Sequence, residues 1–214
     1  MAAIDPKKTL DSYRAKRGEF RVLEVPPLQY LMIDGAGDPN TSAMYAEAVS
    51  ALFPLAYTLK FASRAELGID TVVMPLEGLW HAADMESFTS RRDKSAWEWT
   101  LLLMVGDHVT PELFARAVDT VEAKTAKKGE GLPALRSVRL ETLHEGLCVQ
   151  TLHVGPFDEE GPVLDELHHR FIPDNGLRMT GLHHEVYLSD LRRTDPAKLR
   201  TILRQPVERV KRVT

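Results

Sequence analysis

The chain has 214 residues, of which 43% are hydrophobic and 27% are charged. This composition is ordinary for a globular protein, and the length allows one compact domain or two closely packed halves. The formal net charge of -4 disfavours a nucleic-acid partner, which normally requires a basic face. No apolar run approaches the ~20 residues of a membrane span, and the N-terminus lacks the apolar core of a signal peptide. We therefore expect a cytoplasmic protein without a membrane partner.

The cysteine and histidine patterns disfavour disulfide, metal and nucleophile chemistry. Cys148 is the single cysteine, which excludes an intramolecular disulfide and a C-x-x-C site. The eight histidines include the adjacent pairs His168-His169 and His183-His184, and neighbours on a regular strand point to opposite faces. The sequence has no H-x-x-x-H spacing and no G-x-S-x-G motif. We therefore expect no metal site and no cofactor.

The first half of the chain is predicted to contain four strands and two helices after a polar, loosely held lead-in at residues 1–18. These elements are strands at Phe20–Val25 and Leu28–Ile33, a helix at Ser42–Phe61, a hairpin of Asp70–Trp80 with Ala96–Val105, and a helix at Pro111–Lys128. Pro54 must kink or split the first helix, because it removes a backbone donor. The charged loop His81–Ser95 is unusually long for a hairpin, and long loops are often functional.

The second half repeats this order of elements. It is predicted to contain a hairpin of Val138–His144 with Gly146–His153, a helix at Glu159–Ile172, a strand at Met179–Leu188, a short helix at Asp195–Leu203 and a last strand at Val207–Val213. Pro196 at the first position favours the short helix. The order of elements predicts an α+β protein, and no residue-level repeat accompanies it.

The strand Met179–Leu188 places three polar side chains on one face. Alternation puts His183, Glu185 and Tyr187 together, opposite a largely apolar row. Glu185 is then either a solvated edge residue or the single charge in a concave site, where it can act as a counter-ion or general base. Glu77 is the second candidate acid, since its neighbour Gly78 permits close approach of a ligand.

The three tryptophans lie beside the long predicted loop. Trp97 and Trp99 share a strand face because they are two residues apart, and Trp80 ends the preceding strand. Packing in a core is the commoner role of tryptophan, whereas an aromatic box around an acid holds flat or cationic ligands. Both roles remain open from the residues alone.

Several motifs together resemble the GyrI-like small-molecule-binding proteins, especially their stand-alone branch. They are H-V-G-P-F-D-E-E-G-P at 153–162, H-H-E-V-Y-L-S-D at 183–190, K-L-R-T-I-L-R-Q-P-V at 198–207, M-P-L-E-G-L-W at 74–80 and W-E-W-T-L at 97–101. The resemblance runs from about Glu19 to the C-terminus. Three positions depart from the family pattern: His81 stands where tryptophan is frequent, Phe157 where tyrosine is common, and Leu191 where proline is common.

The resemblance implies a fold of two strand–helix–strand–strand units that face each other across a pseudo-twofold axis, with a ligand cleft between them. The domain would span 19–214, with half-units of about 19–108 and 109–214. The resemblance favours Trp80 and Trp99, and Trp97 less strongly, as ligand-binding residues, with Glu77 and His183 beside them. Glu185 and Tyr187 are the candidate catalytic residues.

The resemblance leaves three classes of function open. Some stand-alone members hydrolyse the strained cyclopropane of DNA-alkylating cyclopropanoid antibiotics, which are flat and would stack on the tryptophans. In such a reaction Glu185 would orient or deprotonate a water, and Tyr187 would hydrogen-bond the water or the carbonyl. The second class is a non-catalytic binder of lipophilic cations, and the third is an effector-sensing or gyrase-modulating regulator. A homodimer also remains open.

Overall fold

The computed structural model describes residues 3–81, 94, 97–190 and 192–210, and within them it shows an α+β protein built on one antiparallel sheet. The strands are β1 (Arg21–Val25), β2 (Leu28–Ala36), β3 (Leu76–His81), β4 (Glu98–Val105), β5 (Arg139–Leu143), β6 (Gly146–Val154), β7 (Leu177–Met179), β8 (His183–Tyr187) and β9 (Arg200–Arg209). The predicted loop at 82–93 and 95–96, with Arg91, Arg92 and Asp93, lies outside the described residues, as does Leu191.

The helices are mostly short apart from two. They are α1 (Pro6–Thr9), α2 (Ala43–Leu67), α3 (Pro111–Ala126), α4 (Gly161–Asp165) and α5 (Ile172–Asp174), with a π-helix at Glu166–Phe171 between the last two. Single 3-10 turns occur at Asp11–Tyr13, Pro133–Ser137, Phe157–Glu159 and Pro196–Lys198. No helix within the described part of the chain is both long and apolar enough to cross a membrane.

The two long helices begin and end at the residues that favour such ends. At the start of α2 the Ser42 hydroxyl accepts a hydrogen bond from the backbone N–H of Tyr45, and the helix ends at Gly68, which has a positive φ of 69°. At the start of α3 the Thr110 side chain accepts a hydrogen bond from the backbone N–H of Leu113, and Pro111 occupies the first helical position. Pro54 lies inside α2, which continues past it as one helix, so of the two predicted outcomes, a kink or a split, the split does not occur.

The strand order shows the two related units. The order β1-β6-β9-β8-β3-β4-β2-β5 contains β2-β4-β3 from the first unit and β6-β9-β8 from the second, and the two meet where β3 pairs with β8. Each unit runs strand, helix, strand, strand along the chain. This symmetric order confirms the predicted fold of two strand–helix–strand–strand units around a pseudo-twofold axis.

The predicted hairpin of β5 with β6 is wrong. β6 pairs with β1, from Arg21 opposite Gln150, and β5 pairs with β2, from Leu28 opposite Leu143. Both pairs keep the same register, so β1–β2 and β5–β6 form one long ribbon that changes direction near Pro26 and Pro27. The residues between β5 and β6 therefore connect two segments of the ribbon and do not form a hairpin turn.

The segment predicted as a short helix at Asp195–Leu203 is also different. Only Pro196–Lys198 forms a 3-10 turn, and Arg200–Arg209 is a central strand that pairs with both β6 and β8. The N-terminal segment is held more closely than a loose lead-in, because Ser12 and Tyr13 are buried. This segment packs on the side of the sheet that faces away from α2.

Candidate functional site

The pairing of β3 with β8 fixes which side chains meet at the centre of the sheet. Gly78 lies opposite Glu185, and Trp80 lies opposite His183. Residues opposite each other in an antiparallel pair point to the same side of the sheet, so these positions share one face. Trp80 packs in the same core cluster as Leu55 of α2. We call this side the helix face and the opposite side the N-terminal face.

Four rings form an aromatic cluster on the helix face, defined by Trp80, Trp97, Phe157 and Tyr187. The Trp80 indole donates a hydrogen bond to the Tyr187 hydroxyl over 3.0 Å. Trp97 meets Trp80 edge to face at 5.4 Å between ring centroids, and Phe157 meets Tyr187 in the same way at 5.5 Å. These edge-to-face contacts hold the rings in fixed orientations.

Gly78 makes this arrangement possible. A Cβ atom at Gly78 would lie 2.9 Å from Nε1 of Trp80 and 3.1 Å from the hydroxyl oxygen of Tyr187. Both distances are shorter than ordinary carbon contacts, so a side chain at this position would displace the hydrogen-bonded pair. The missing side chain lets Trp80 and Tyr187 meet across the strand, beside Glu185.

Trp99 has a different environment from the other two tryptophans. Its ring is only 2% exposed, and it covers Gly35 so closely that a Cβ there would lie 2.1 Å from the indole. The indole nitrogen donates to the Gly37 carbonyl over 3.2 Å, and Tyr45 packs edge to face against the ring. Trp99 therefore contributes to the core beside the aromatic cluster.

A polar cluster lies beside the aromatic rings and consists of Glu160, His168, His183 and Glu185. The Nε2 atom of His183 lies 3.6 Å from the Glu185 carboxylate, and the two side chains are 8% and 13% exposed. Glu160, just before α4, is also buried, and its Oε1 atom has no hydrogen-bond partner among the described residues. Within those residues no group of three or more His, Cys, Asp or Glu side chains could hold a metal ion.

Burial and the negative charge of Glu185 keep Glu160 and the neighbouring Tyr187 in their neutral forms. Burial, together with the negative charge of Glu185, raises the pKa of Glu160 well above its ordinary value. The same two causes, in the same order, raise the pKa of the Tyr187 phenol. Glu160 and Tyr187 can therefore donate hydrogen bonds to an acceptor held near Glu185.

The sequence prediction included Glu77 in the ligand site, but the structure places it on the N-terminal face. Glu77 is fully buried there, where its carboxylate meets Nε2 of His184 at 2.9 Å and accepts hydrogen bonds from Tyr13 and Tyr30. The other ring nitrogen of His184 lies 2.9 Å from Glu145. The sheet therefore separates Glu77 from the aromatic cluster.

Sequence reasoning missed this buried ion network, which we define as Glu77, Glu145, His184 and Arg204. Arg204 donates to Glu145 over 2.7 Å and to the Ser12 carbonyl over 2.6 Å. Glu145 and its hydrogen bond raise the pKa of His184 to about 9 despite burial. His184 and Arg204 lower the pKa of Glu145 to about 2, also against burial. Two positive and two negative groups thus balance inside the protein.

Sequence reasoning also missed Glu160 and His168. Glu160 lies in the run D-E-E-G at 158–161, which is typical of a solvated helix start. His168 is one of an adjacent pair in a helical stretch with no distinctive spacing. For Phe157 and Glu160, the quoted motif at 153–162 was the available signal, because it contains both residues.

His81, where the family often has tryptophan, ends β3 and is exposed. It lines a cavity of about 470 Å³ at the ends of β2, β3 and β4, together with Trp99, Glu98 and Leu182.

Comparison with known proteins supports the architecture over the whole chain. An uncharacterized conserved protein from Listeria innocua is 39% identical, with a TM-score of 0.85, and the match covers 96% of this chain and all of that one. A hydrolase from Listeria innocua is 38% identical, with a TM-score of 0.80 over 96% of this chain and all of its own. No curated protein matches the sequence.

A more distant similarity concerns the fold alone. The C-terminal domain of EcmrR is 14% identical, with a TM-score of 0.54 over 90% of this chain and 98% of that domain.

Residues 107–208 match the GyrI-like small molecule binding domain, and these residues contain Glu160, His183, Glu185 and Tyr187. The chain therefore belongs to the GyrI-like family of small-molecule-binding domains.

Proposed function

We propose that the protein binds planar lipophilic compounds against the aromatic cluster and hydrolyses the cyclopropane ring of cyclopropanoid DNA-alkylating antibiotics. The observation that carries this proposal is the position of Glu185. Its partly buried carboxylate lies beside Tyr187 of the aromatic cluster and beside Glu160, and both of these groups stay protonated. Such a site combines a base with hydrogen-bond donors in a largely water-excluded environment.

Binding would use the flat faces and edges of the aromatic rings. Trp97 is only partly buried, and its ring meets Trp80 edge to face and lies 5.8 Å from the ammonium of Lys94. The bond between Trp80 and Tyr187 fixes both rings before a ligand arrives, which reduces the entropy lost on binding. Trp99 supports this arrangement from the core.

Hydrolysis requires one base and stabilisation of one developing oxyanion. A water next to Glu185 would give a proton to the carboxylate while its oxygen attacks the cyclopropane carbon. The bond from that carbon to the ring would break, and its electron pair would move through the conjugated ring to the carbonyl oxygen. Tyr187 and Glu160 would donate hydrogen bonds to the resulting phenolate, which takes a proton from solvent after release. The product is the substrate plus one water.

The relatives support a hydrolytic role. A protein 38% identical over its whole length is described as a hydrolase, and a second from the same organism, 37% identical, has the same description. Similarity at this level over the complete chain makes a shared reaction class a reasonable expectation. The substrate class rests on the resemblance of L-E-G-L-W, W-E-W and H-E-V-Y to the cyclopropanoid-hydrolysing branch.

The test is incubation with a cyclopropanoid antibiotic, followed by mass spectrometry for the gain of one water. Wild-type protein should convert the compound, and Glu185→Gln should lower the rate by ~10²–10⁴-fold, the contribution of a general base. Quenching of tryptophan fluorescence by the compound should persist in Glu185→Gln. The control Glu141→Gln changes an exposed carboxylate on β5 and should keep the wild-type rate.

A non-catalytic binder of lipophilic cations is the second candidate, favoured by two carboxyl groups buried beside aromatic rings. In that case wild-type protein would bind the cyclopropanoid compound and release it unchanged over hours. Glu185→Gln would then weaken the binding of a cationic ligand more than that of a neutral ligand of the same shape. Hydrolysis by wild-type protein would exclude this candidate.

A further inference from the structure

Three buried nitrogens of the neighbouring histidines His183 and His168 have no hydrogen-bond partner among the described residues. They are both ring nitrogens of His183 and the Nε2 atom of His168, each unpaired in the part of the chain that the structure describes. The two rings meet edge to face with centroids 5.7 Å apart. An unpaired buried polar atom costs about 1–3 kcal/mol, so three in one place favour an ordered water that bonds to them.

A local irregularity of the helix positions His168. Between α4 and α5 the chain forms the π-helix Glu166–Phe171, and such wide turns occur frequently at functional sites. Here His168 is buried against His183, whereas its neighbour His169 is exposed and lies 2.9 Å from Asp165. Two consecutive residues of the π-helix therefore face different surroundings: His168 lies in the interior of the site, and His169 lies at the protein surface.

The surroundings of His168 keep its ring in the neutral form. Burial, and then the neighbouring His183 and His169, lowers the pKa of His168 to about 3. The ring is therefore neutral near pH 7 and has one donor and one acceptor nitrogen.

The other ionisable groups near this pair come from three elements. Glu185 is on the same strand as His183, Glu160 precedes α4, and His169 and Asp165 lie on the helical segment itself. On the adjoining strand β6, the Nε2 atom of His153 is within 3.0 Å of the Pro156 carbonyl. The His183 ring lies 3.6 Å from the Glu185 carboxylate on one side and packs against the His168 ring on the other, so His183 connects the carboxylate to His168.

We propose that His183 and His168, bridged by a water, form a relay that carries the proton from Glu185 to solvent at the π-helix. This inference rests on the proposed function, because Glu185 gains a proton only if it activates water. Each turnover leaves that one proton on Glu185, beneath the bound compound. The relay passes it to His183, then through the bridging water to His168, and releases it at the surface, while no bond to carbon changes.

The first arm of the test measures turnover of the cyclopropanoid antibiotic. His168→Gln should lower kcat at least about tenfold, below the full effect of losing the base, with KM and fluorescence quenching unchanged. His168→Ala should regain activity when free imidazole is added. His169→Gln is the control from the same π-helix and should keep the wild-type kcat. Wild-type kcat in His168→Gln would overturn the relay.

The second arm needs no substrate and separates the relay from the proposed reaction. Ring nitrogens are followed by NMR in the full-length protein labelled with ¹⁵N-histidine. Glu185→Gln should change the ring signals of His168 as well as those of His183, because the three groups are linked in sequence. Glu141→Gln should change neither. His168 signals that stay at their wild-type positions in Glu185→Gln would overturn the relay, whether or not the antibiotic is hydrolysed.

Discussion

The buried ion network gives a prediction about stability that is independent of any ligand. His184→Gln keeps a polar side chain but removes the positive charge between Glu77 and Glu145, both of which lie within 2.9 Å of the ring. The raised pKa of His184, about 9 against an ordinary 6.5, corresponds to about 3 kcal/mol of extra stabilisation of the protonated ring. Removing one member of a buried ion group typically costs about 3–5 kcal/mol. We therefore expect a loss of about 3 kcal/mol in the free energy of unfolding.

The direction of the pH dependence follows from the same values. A raised pKa means that the stabilisation by His184 is complete below pH 6.5 and is lost as pH rises to about 9. Glu145 acts in the opposite direction, because its pKa is lowered to about 2. Its stabilisation is present above pH 4.5 and is lost as pH falls towards 2. The two groups are partners, so these contributions belong to the pair and do not add.

Urea unfolding at several pH values, followed by tryptophan fluorescence, measures both effects. Wild-type protein should lose stability between pH 6.5 and 9, and His184→Gln should lack this loss. The control His169→Gln removes an exposed histidine that pairs with Asp165 and should change stability by no more than about 1 kcal/mol. Equal stability of His184→Gln and wild type at pH 7 would refute a balanced, charged network.

The remaining predictions concern the aromatic cluster. Gly78→Ala should displace Trp80, lower the free energy of unfolding by about 1–3 kcal/mol and weaken the fluorescence quenching by a planar ligand. In the control Gly131→Ala the added Cβ meets nothing within 4 Å, so stability and quenching should stay unchanged. Trp97→Ala should weaken planar-ligand affinity by about 1 kcal/mol, the scale of one aromatic contact, with little loss of stability. Trp99→Ala should instead cost about 3–5 kcal/mol of stability by leaving a cavity. Equal losses of affinity and stability in both tryptophan variants would contradict this division.

Local patterns predicted the strands well where one face differed strongly from the other. Strand β8 is an example: alternation predicted that His183, Glu185 and Tyr187 share a face, and their pairing with β3 and β9 puts them there. The order of elements predicted the two related units, because each unit has the same succession of strand and helix periods. These features depend on short stretches of sequence.

Features that depend on distant pairing were not visible. Glu145-Gly146 looks like a hairpin turn, but β5 and β6 each find their partner more than a hundred residues earlier in the chain. The strand Arg200–Arg209 was predicted in part as the end of a short helix, Asp195–Leu203, and in part as the start of a last strand, Val207–Val213. Arg204 and Gln205 are buried there because Glu145, Gln150 and backbone carbonyls accept their hydrogen bonds. Those partners are distant in the sequence, so no short stretch around Arg204 and Gln205 indicates them.

Glu77 and Glu185 differ in how fully neighbouring groups satisfy their carboxylates. Both are acids near the centre of paired strands, but one residue of register places them on opposite faces. Glu77 has His184 and two tyrosine hydroxyls as fixed partners, so its oxygens are satisfied and have little capacity to bind a ligand. Glu185 has a longer contact, 3.6 Å from its carboxylate to His183, and lies beside the Tyr187 hydroxyl and Glu160. A carboxylate in that state gains most from an added water or cation, which is why we assign the chemistry to Glu185 and the structural role to Glu77.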